Sequence, residues 1–197
     1  MQLIERGQMR LLDPVSRYLP GFQPWKDPKT GETTEIRIQH LLTHSSGLPA
    51  YASVEPLRKQ HGSPCPDALL AHINNVRRQF APATGFRYSC LNFITLQYVI
   101  ERITGQSLAD YAHTNVFKPL GMLHTAYCPP AEWKPIIAPT ERQADGSVLR
   151  GVVHDPLARV INGGISGNAG LFSSAEDLAV LCAALQNGGE WNGARIL

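Results

Sequence analysis

No apolar run in the 197-residue chain approaches the roughly 20 residues needed to cross a bilayer. The opening "MQLIERGQMRLL" has neither the apolar block nor the small-residue cleavage site of a secretory signal. Excess charge of one sign is missing too. Eighteen Lys and Arg against 16 Asp and Glu leave a formal net charge of +2, too little for the basic stripe that counterion-driven nucleic-acid binding needs, so nucleic acid is not an expected partner. The four cysteines, Cys65, Cys90, Cys128 and Cys182, contain no Cys-x-x-Cys pair. That spacing argues against a zinc site or a disulfide framework, and the cysteines read as free thiols. A helix cap is absent as well: Met1 is followed at once by a helix-like pattern with no Ser, Thr, Asp or Asn in front of it, as though the chain began inside an element.

What is present describes a globular protein, with 43% hydrophobic and 17% charged residues. At this length the expectation is one domain with a real core, or two small ones. Residues 1–7 read as a helix end closing at Gly7, and "EIRIQ" (35–39) alternates like a short strand. A helix is then expected to run to Gly47, with Pro49 just beyond. Further helices are expected over Pro66–Val76, over Leu91–Thr104 with Gly105 as its stop, and from Ser107 to about Val116. Another is expected over 175–186, with Ser173 and Glu176 as a capping box. Between Cys128 and Ala158 the pattern dissolves into Pro, Gly and charge, which predicts a long surface excursion. No internal repeat or low-complexity tract is present.

Four segments carry a resemblance by their order and spacing: "LLDPVSRYLP", "HLLTHSSGLP", "YSCLNFITLQYVIERITGQSLADYAHTNVFKPLGM" and "GNAGLFSSAEDLA". Together they resemble the serine β-lactamase-related hydrolases, the group of class C β-lactamases, penicillin-binding proteins and related esterases. The resemblance covers nearly the whole chain. It implies an α/β (α+β) architecture of the β-lactamase/transpeptidase type, here mostly the helical region with an incomplete antiparallel sheet. It also implies acyl transfer without a cofactor, on a small-molecule or peptide substrate.

That family works with a Ser-x-x-Lys nucleophile motif, a Tyr- or Ser-x-Asn motif and a Lys- or His-Thr-Gly strand motif. None of the serines, from Ser16 to Ser174, has a lysine three residues on. Lys29-Thr30-Gly31 spells the third motif, but it precedes the tyrosine segment and sits in a polar loop, so it reads as a coincidental turn. The expectation is that residues 1–197 form part of one domain, truncated at both ends, with the serine before Met1 and the third motif after Leu197. The location of the protein stays open: periplasmic or secreted if a signal peptide lies upstream, otherwise cytoplasmic.

Tyr88 matches the tyrosine of the second motif, and the resemblance implies a role as general base or proton shuttle. A tyrosine ordinarily ionises near pH 10, so a phenolate at neutral pH requires about 4 kcal/mol of stabilisation, which the motif lysines supply in the family. Cys90 stands where the family usually has Asn or Asp. A thiol is a weak donor and a poor acceptor, so esters or peptides are expected as substrates rather than β-lactams. As a nucleophile Cys90 would need a base or another source of thiolate stabilisation, and no histidine is close in sequence. In "HDPLARVINGGISGNAGLF", His154 and Asn168 are the substrate-side candidates, Asn168 standing where many relatives have histidine. His40 and His44 have the i, i+4 spacing of a metal pair, but Leu41 occupies the glutamate position of His-Glu-x-x-His, so capping or buried hydrogen bonds are expected instead. The competing class is a noncatalytic binding or scaffold protein of the same fold.

Overall fold

The computed structural model describes all residues, 1–197. Its centre is the helix Cys90–Thr104 (α5). Leu91, Ile94 and Val99 are wholly buried on it, each contributing about 1.5–3 kcal/mol. Asn92, Thr95 and Gln97 are buried with them, so the helix is enclosed on most sides rather than along one stripe. Gly105 stops it in the left-handed conformation at φ 67°. Around α5 pack α2 (Ile38–Leu42) and α4 (Pro66–Asn75). Val15, Phe22, Leu41, Leu69 and Ile73 complete the main core with it.

The other helices are α1 (Gln2–Glu5), α3 (Val54–His61), α6 (Leu108–Ala112), α7 (Lys118–Leu120) and α8 (Ala175–Gln186). Six two-residue strands form three separate antiparallel pairs. They are β1 (Trp25–Lys26) with β2 (Thr33–Thr34), β3 (Ala126–Tyr127) with β4 (Leu171–Phe172), and β5 (Glu190–Trp191) with β6 (Ala194–Arg195). The fold is thus helical with small antiparallel sheets, as the resemblance implies. Lys29-Thr30-Gly31 lies in the exposed β1–β2 loop, where the Asp27 carboxylate accepts from the Lys29 and Thr30 amides at 2.7 and 3.1 Å.

Several local expectations need correction. Residues 35–39 are not a strand: only Arg37 bridges, to Pro14, and Ile38 already starts α2. That helix ends at Leu42 rather than at Gly47. Gly47 (φ 80°) is needed for another reason, because a side chain there would run into the Phe80 carbonyl. The cap of α8 is Ser174, whose hydroxyl accepts from the Asp177 amide at 3.2 Å, one residue later than expected. The helix from Ser107 does not stop near Val116 but continues through a π turn (His113–Phe117) into α7. The expected surface excursion is real from Pro129 to Pro156, where Val153 is the one buried residue, but Leu157 and Ala158 already belong to the interior. Helix α3 has no strong sequence signal, since Pro56 stands in a polar stretch; in a first helical turn it interrupts nothing.

Candidate active site

The N-terminus of α5 is laid against the segment that follows α2. The Cys90 amide donates to the Ala50 carbonyl at 2.9 Å, and the Ser89 hydroxyl donates to the Pro49 carbonyl at 2.6 Å. Tyr88 precedes this junction and is 62% exposed as a residue, so a group outside the core can reach it. The ring rests on His44, centroid to centroid 4.6 Å, and His44 also meets the rings of Phe93 and Phe86 at 5.2 and 6.0 Å.

His44 lies just past the end of α2 in the left-handed region, at φ 55°. Its Nδ1 accepts from the Ser89 amide at 3.2 Å and faces Asn92 Nδ2 at 3.0 Å. Burial pushes its pKa down, favouring the neutral imidazole. Asn92 is in turn fixed by Ser46, whose hydroxyl donates to Asn92 Oδ1 at 2.5 Å. His40 sits on the helix proper, where its Nδ1 accepts from the Arg37 amide at 3.1 Å. The two histidines therefore make capping and buried hydrogen bonds, and no group of His, Cys, Asp or Glu side chains in the chain is arranged to hold a metal ion.

Across from Cys90 a tight turn, closed by a bridge between Ser166 and Ala169, presents Asn168. Gly167 permits the approach, since any side chain there would collide with the Phe93 carbonyl of α5. Asn168 is aimed by a buried chain of polar groups. Asn162 donates to Gln97 Oε1 at 2.9 Å and to Ser166 Oγ at 3.0 Å, and Ser166 Oγ donates to Asn168 Oδ1 at 2.7 Å. With its oxygen so engaged, the Asn168 amide nitrogen is the end left free to donate. Burial raises the Cys90 pKa above its usual value, the Asn168 contact opposes this and the Asp155 charge reinforces it. The thiol therefore stays protonated near neutrality, which weighs against a nucleophilic role.

Tyr51 closes this side. Its hydroxyl accepts from the Leu157 amide at 2.8 Å and donates to the Asp155 carboxylate at 3.2 Å. Burial first, then the Asp155 charge, pushes its pKa up to about 12. Asp155, Ala169 and His154 also line an apolar cavity of about 630 Å³ whose other walls include Trp133, Val152 and Phe172. His154 stands on that wall, well exposed and 3.8 Å from Glu141, its carbonyl accepting from Arg159, and it bonds to neither Cys90 nor Asn168.

Of the four residues singled out in the sequence, Asn168 bears on the ionisation of Cys90 and Tyr88 stands two residues before Cys90. His154 belongs to the adjoining cavity. Asn92, Gln97 and Tyr51 escape a sequence reading, and His44, expected only to cap or to hydrogen-bond in the interior, stands beside Tyr88. The available signals were a histidine followed by Ser-Ser-Gly after a helix, and polar residues inside an otherwise apolar helix.

The protein family described as Beta-lactamase matches residues 1–196. A putative D-alanyl-D-alanine carboxypeptidase of Salmonella typhimurium (strain LT2) is 32% identical over 212 residues, covering 99% of this chain and 49% of that protein. Among solved structures, the octameric penicillin-binding protein homologue from Pyrococcus abyssi superposes with a TM-score of 0.70 at 24% identity, over 96% of this chain and 42% of the other. EstCE1, described as a hydrolase with promiscuous acyltransferase activity, gives a TM-score of 0.70 at 24% identity, over 99% of this chain and 56% of its own. The chain spans about half the length of the curated relatives it matches.

Proposed function

The chain belongs to the beta-lactamase family, and from that premise we propose that it is part of a serine hydrolase that forms and hydrolyses an acyl-enzyme. The substrate would be an ester, a peptide or another amide. The nucleophile would be the serine of a Ser-x-x-Lys motif, which these 197 residues do not contain. Tyr88 would move the proton: its phenolate oxygen takes it from the attacking serine hydroxyl and passes it to the leaving group, while backbone amides hold the oxyanion. Cys90 and Asn168 would face the acyl side of the substrate, and His154 the adjoining cavity.

What supports this reading most directly is the exposed Tyr88 just before the head of the buried α5, two residues from Cys90. Esters and peptides are favoured over β-lactams because Cys90 offers the substrate amide only a weak donor. The name of the Salmonella relative fits a peptide substrate.

The 197-residue chain is expected to take no label from a fluorescent penicillin and to leave a p-nitrophenyl ester intact. Labelling or turnover by this chain alone would show that the nucleophile has been wrongly assigned. The coding sequence on either side gives the second test. Ser-x-x-Lys upstream and Lys- or His-[Ser/Thr]-Gly downstream support the hydrolase, and in that longer protein Tyr88→Phe is expected to lower kcat/KM by roughly 10²–10⁴. Stop codons with unrelated sequence would favour a noncatalytic binding protein instead.

A further inference from the structure

We propose that His44 is the positioning residue for Tyr88, a single side chain and its own carbonyl gripping the peptide on both sides of the tyrosine while the imidazole supports its ring. The proposal deepens the reading of Tyr88 as the proton-moving group and rests on it for its functional meaning. The grip itself is geometric. The His44 carbonyl accepts from the Arg87 amide at 2.9 Å, one residue before Tyr88. Its Nδ1 accepts from the Ser89 amide at 3.2 Å, one residue after. Its ring lies 4.6 Å from the Tyr88 ring at an interplanar angle of 42°.

The protonation state of His44 follows from the partners. The Leu48 amide donates to Ser46 Oγ at 3.1 Å, so the Ser46 hydroxyl proton is free to go to Asn92 Oδ1. That leaves the Asn92 amide nitrogen pointing at His44 Nδ1. Two N–H groups converge on Nδ1, which must carry the lone pair, and the proton resides on Nε2. Four residues from two stretches of chain thus specify one tautomer of one imidazole.

A plainer role is available. A residue one past the cap of α2 often takes the left-handed conformation simply to end the helix, and the Ser45 amide does bond back to the His40 carbonyl at 2.9 Å. Glycine or asparagine would serve that purpose with less strain than histidine. What helix termination does not account for is the ring, with its acceptor on the Ser89 amide and its face on Tyr88. The two roles separate by substitution. His44→Gly keeps the turn and removes both ring contacts, whereas His44→Asn keeps the turn and puts an oxygen close to where Nδ1 was.

The test follows amide exchange at Ser89 and the fluorine resonance of Tyr88 in protein labelled with 3-fluorotyrosine, assigned through Tyr88→Phe. His44→Gly is expected to speed Ser89 exchange by about tenfold or more relative to the Val99 amide inside α5, while His44→Asn stays within about threefold of the parent. The Tyr88 resonance is expected to move toward its unfolded position in both, because both lose the ring. Long-range ¹H–¹⁵N spectra of the parent are expected to show the Nε2–H tautomer. Unchanged Ser89 exchange in His44→Gly, an unmoved Tyr88 resonance, or the Nδ1–H tautomer would each overturn the proposal. None of these readouts depends on turnover. Failure of the longer protein to hydrolyse any ester or peptide would count against the proposed function and leave the clamp intact.

Discussion

Asn92 and Ser46 form a buried pair whose worth can be measured by removing each member alone and both together. Asn92 is fully buried and Ser46 nearly so, and the bond between them is 2.5 Å. In Asn92→Ala the Ser46 hydroxyl loses its acceptor in a place without water, a loss of about 1–3 kcal/mol, and the space left by the carboxamide adds about 1 kcal/mol. His44 Nδ1 keeps the Ser89 amide and contributes little to the loss. The expected destabilisation is about 2–4 kcal/mol, or a fall in Tm of about 4–16 °C for a chain of this size. Ser46→Ala should cost a similar amount, because it strands Asn92 Oδ1 and the Leu48 amide together. In the double variant neither partner is left to be stranded by the other, so the loss should fall short of the sum by about 1–2 kcal/mol. Urea unfolding followed by far-UV circular dichroism gives all four corners of the cycle. Additivity within about 0.5 kcal/mol would mean that the two side chains do not depend on one another, and the buried network would be wrongly drawn.

Stability should also decline in mild acid. Burial lowers the pKa of His40, His44 and His72, so the unfolded chain takes up protons that the folded one refuses. Their contribution is complete above about pH 6.5 and is lost as pH falls from there toward the lowered folded values. A urea midpoint lower at pH 5.5 than at pH 7.5 is expected, with a smaller difference in His40→Gln; equal midpoints would contradict the burial of these rings. Arg78 offers a test at a distance from the site. It lies against the Phe22 ring at 4.6 Å and donates to the carbonyls of Gln23, Ile73 and Asn74 at 2.7, 3.0 and 3.1 Å. Burial brings its pKa down to about 10, so it remains charged at neutrality. Arg78→Met is expected to destabilise the protein by about 2–4 kcal/mol by unfolding measurements, and a loss below about 1 kcal/mol would show those carbonyls to be satisfied otherwise.

The elements that could be located in the sequence are those whose signals are local. Helix α5 announces itself by a dense apolar run and Gly105, α4 by Pro66 in its first turn, and α6 by the Ser107 cap. Where a residue answers to a distant partner the sequence misleads: Gly47 looks like a helix stop but serves the close approach of the Phe80 carbonyl. The candidate site divides in the same way. Tyr88 and Cys90 are visible because the order of neighbouring motifs frames them. Asn92 and Gln97 are invisible because a buried polar residue in an apolar helix looks like a gap in the pattern, and their partners lie 48 and 65 residues away, at His44 and Asn162. The i, i+4 spacing of His40 and His44 misleads in the same way, since it suggests one helix face, whereas the helix ends at Leu42 and the second histidine has already left it.

The excursion from Pro129 to Pro156 supplies Trp133 and Val152 to the cavity wall yet commits only Val153 to the interior. Lengthening such a segment is cheap, about 0.6 kcal/mol for each doubling of a flexible loop. Evolution could therefore redraw the cavity by insertion and deletion while α5 and its buried neighbours stay fixed. One scaffold of this kind can diversify in what it accepts without being reinvented, and the same stretch is where an engineer seeking a new specificity should begin.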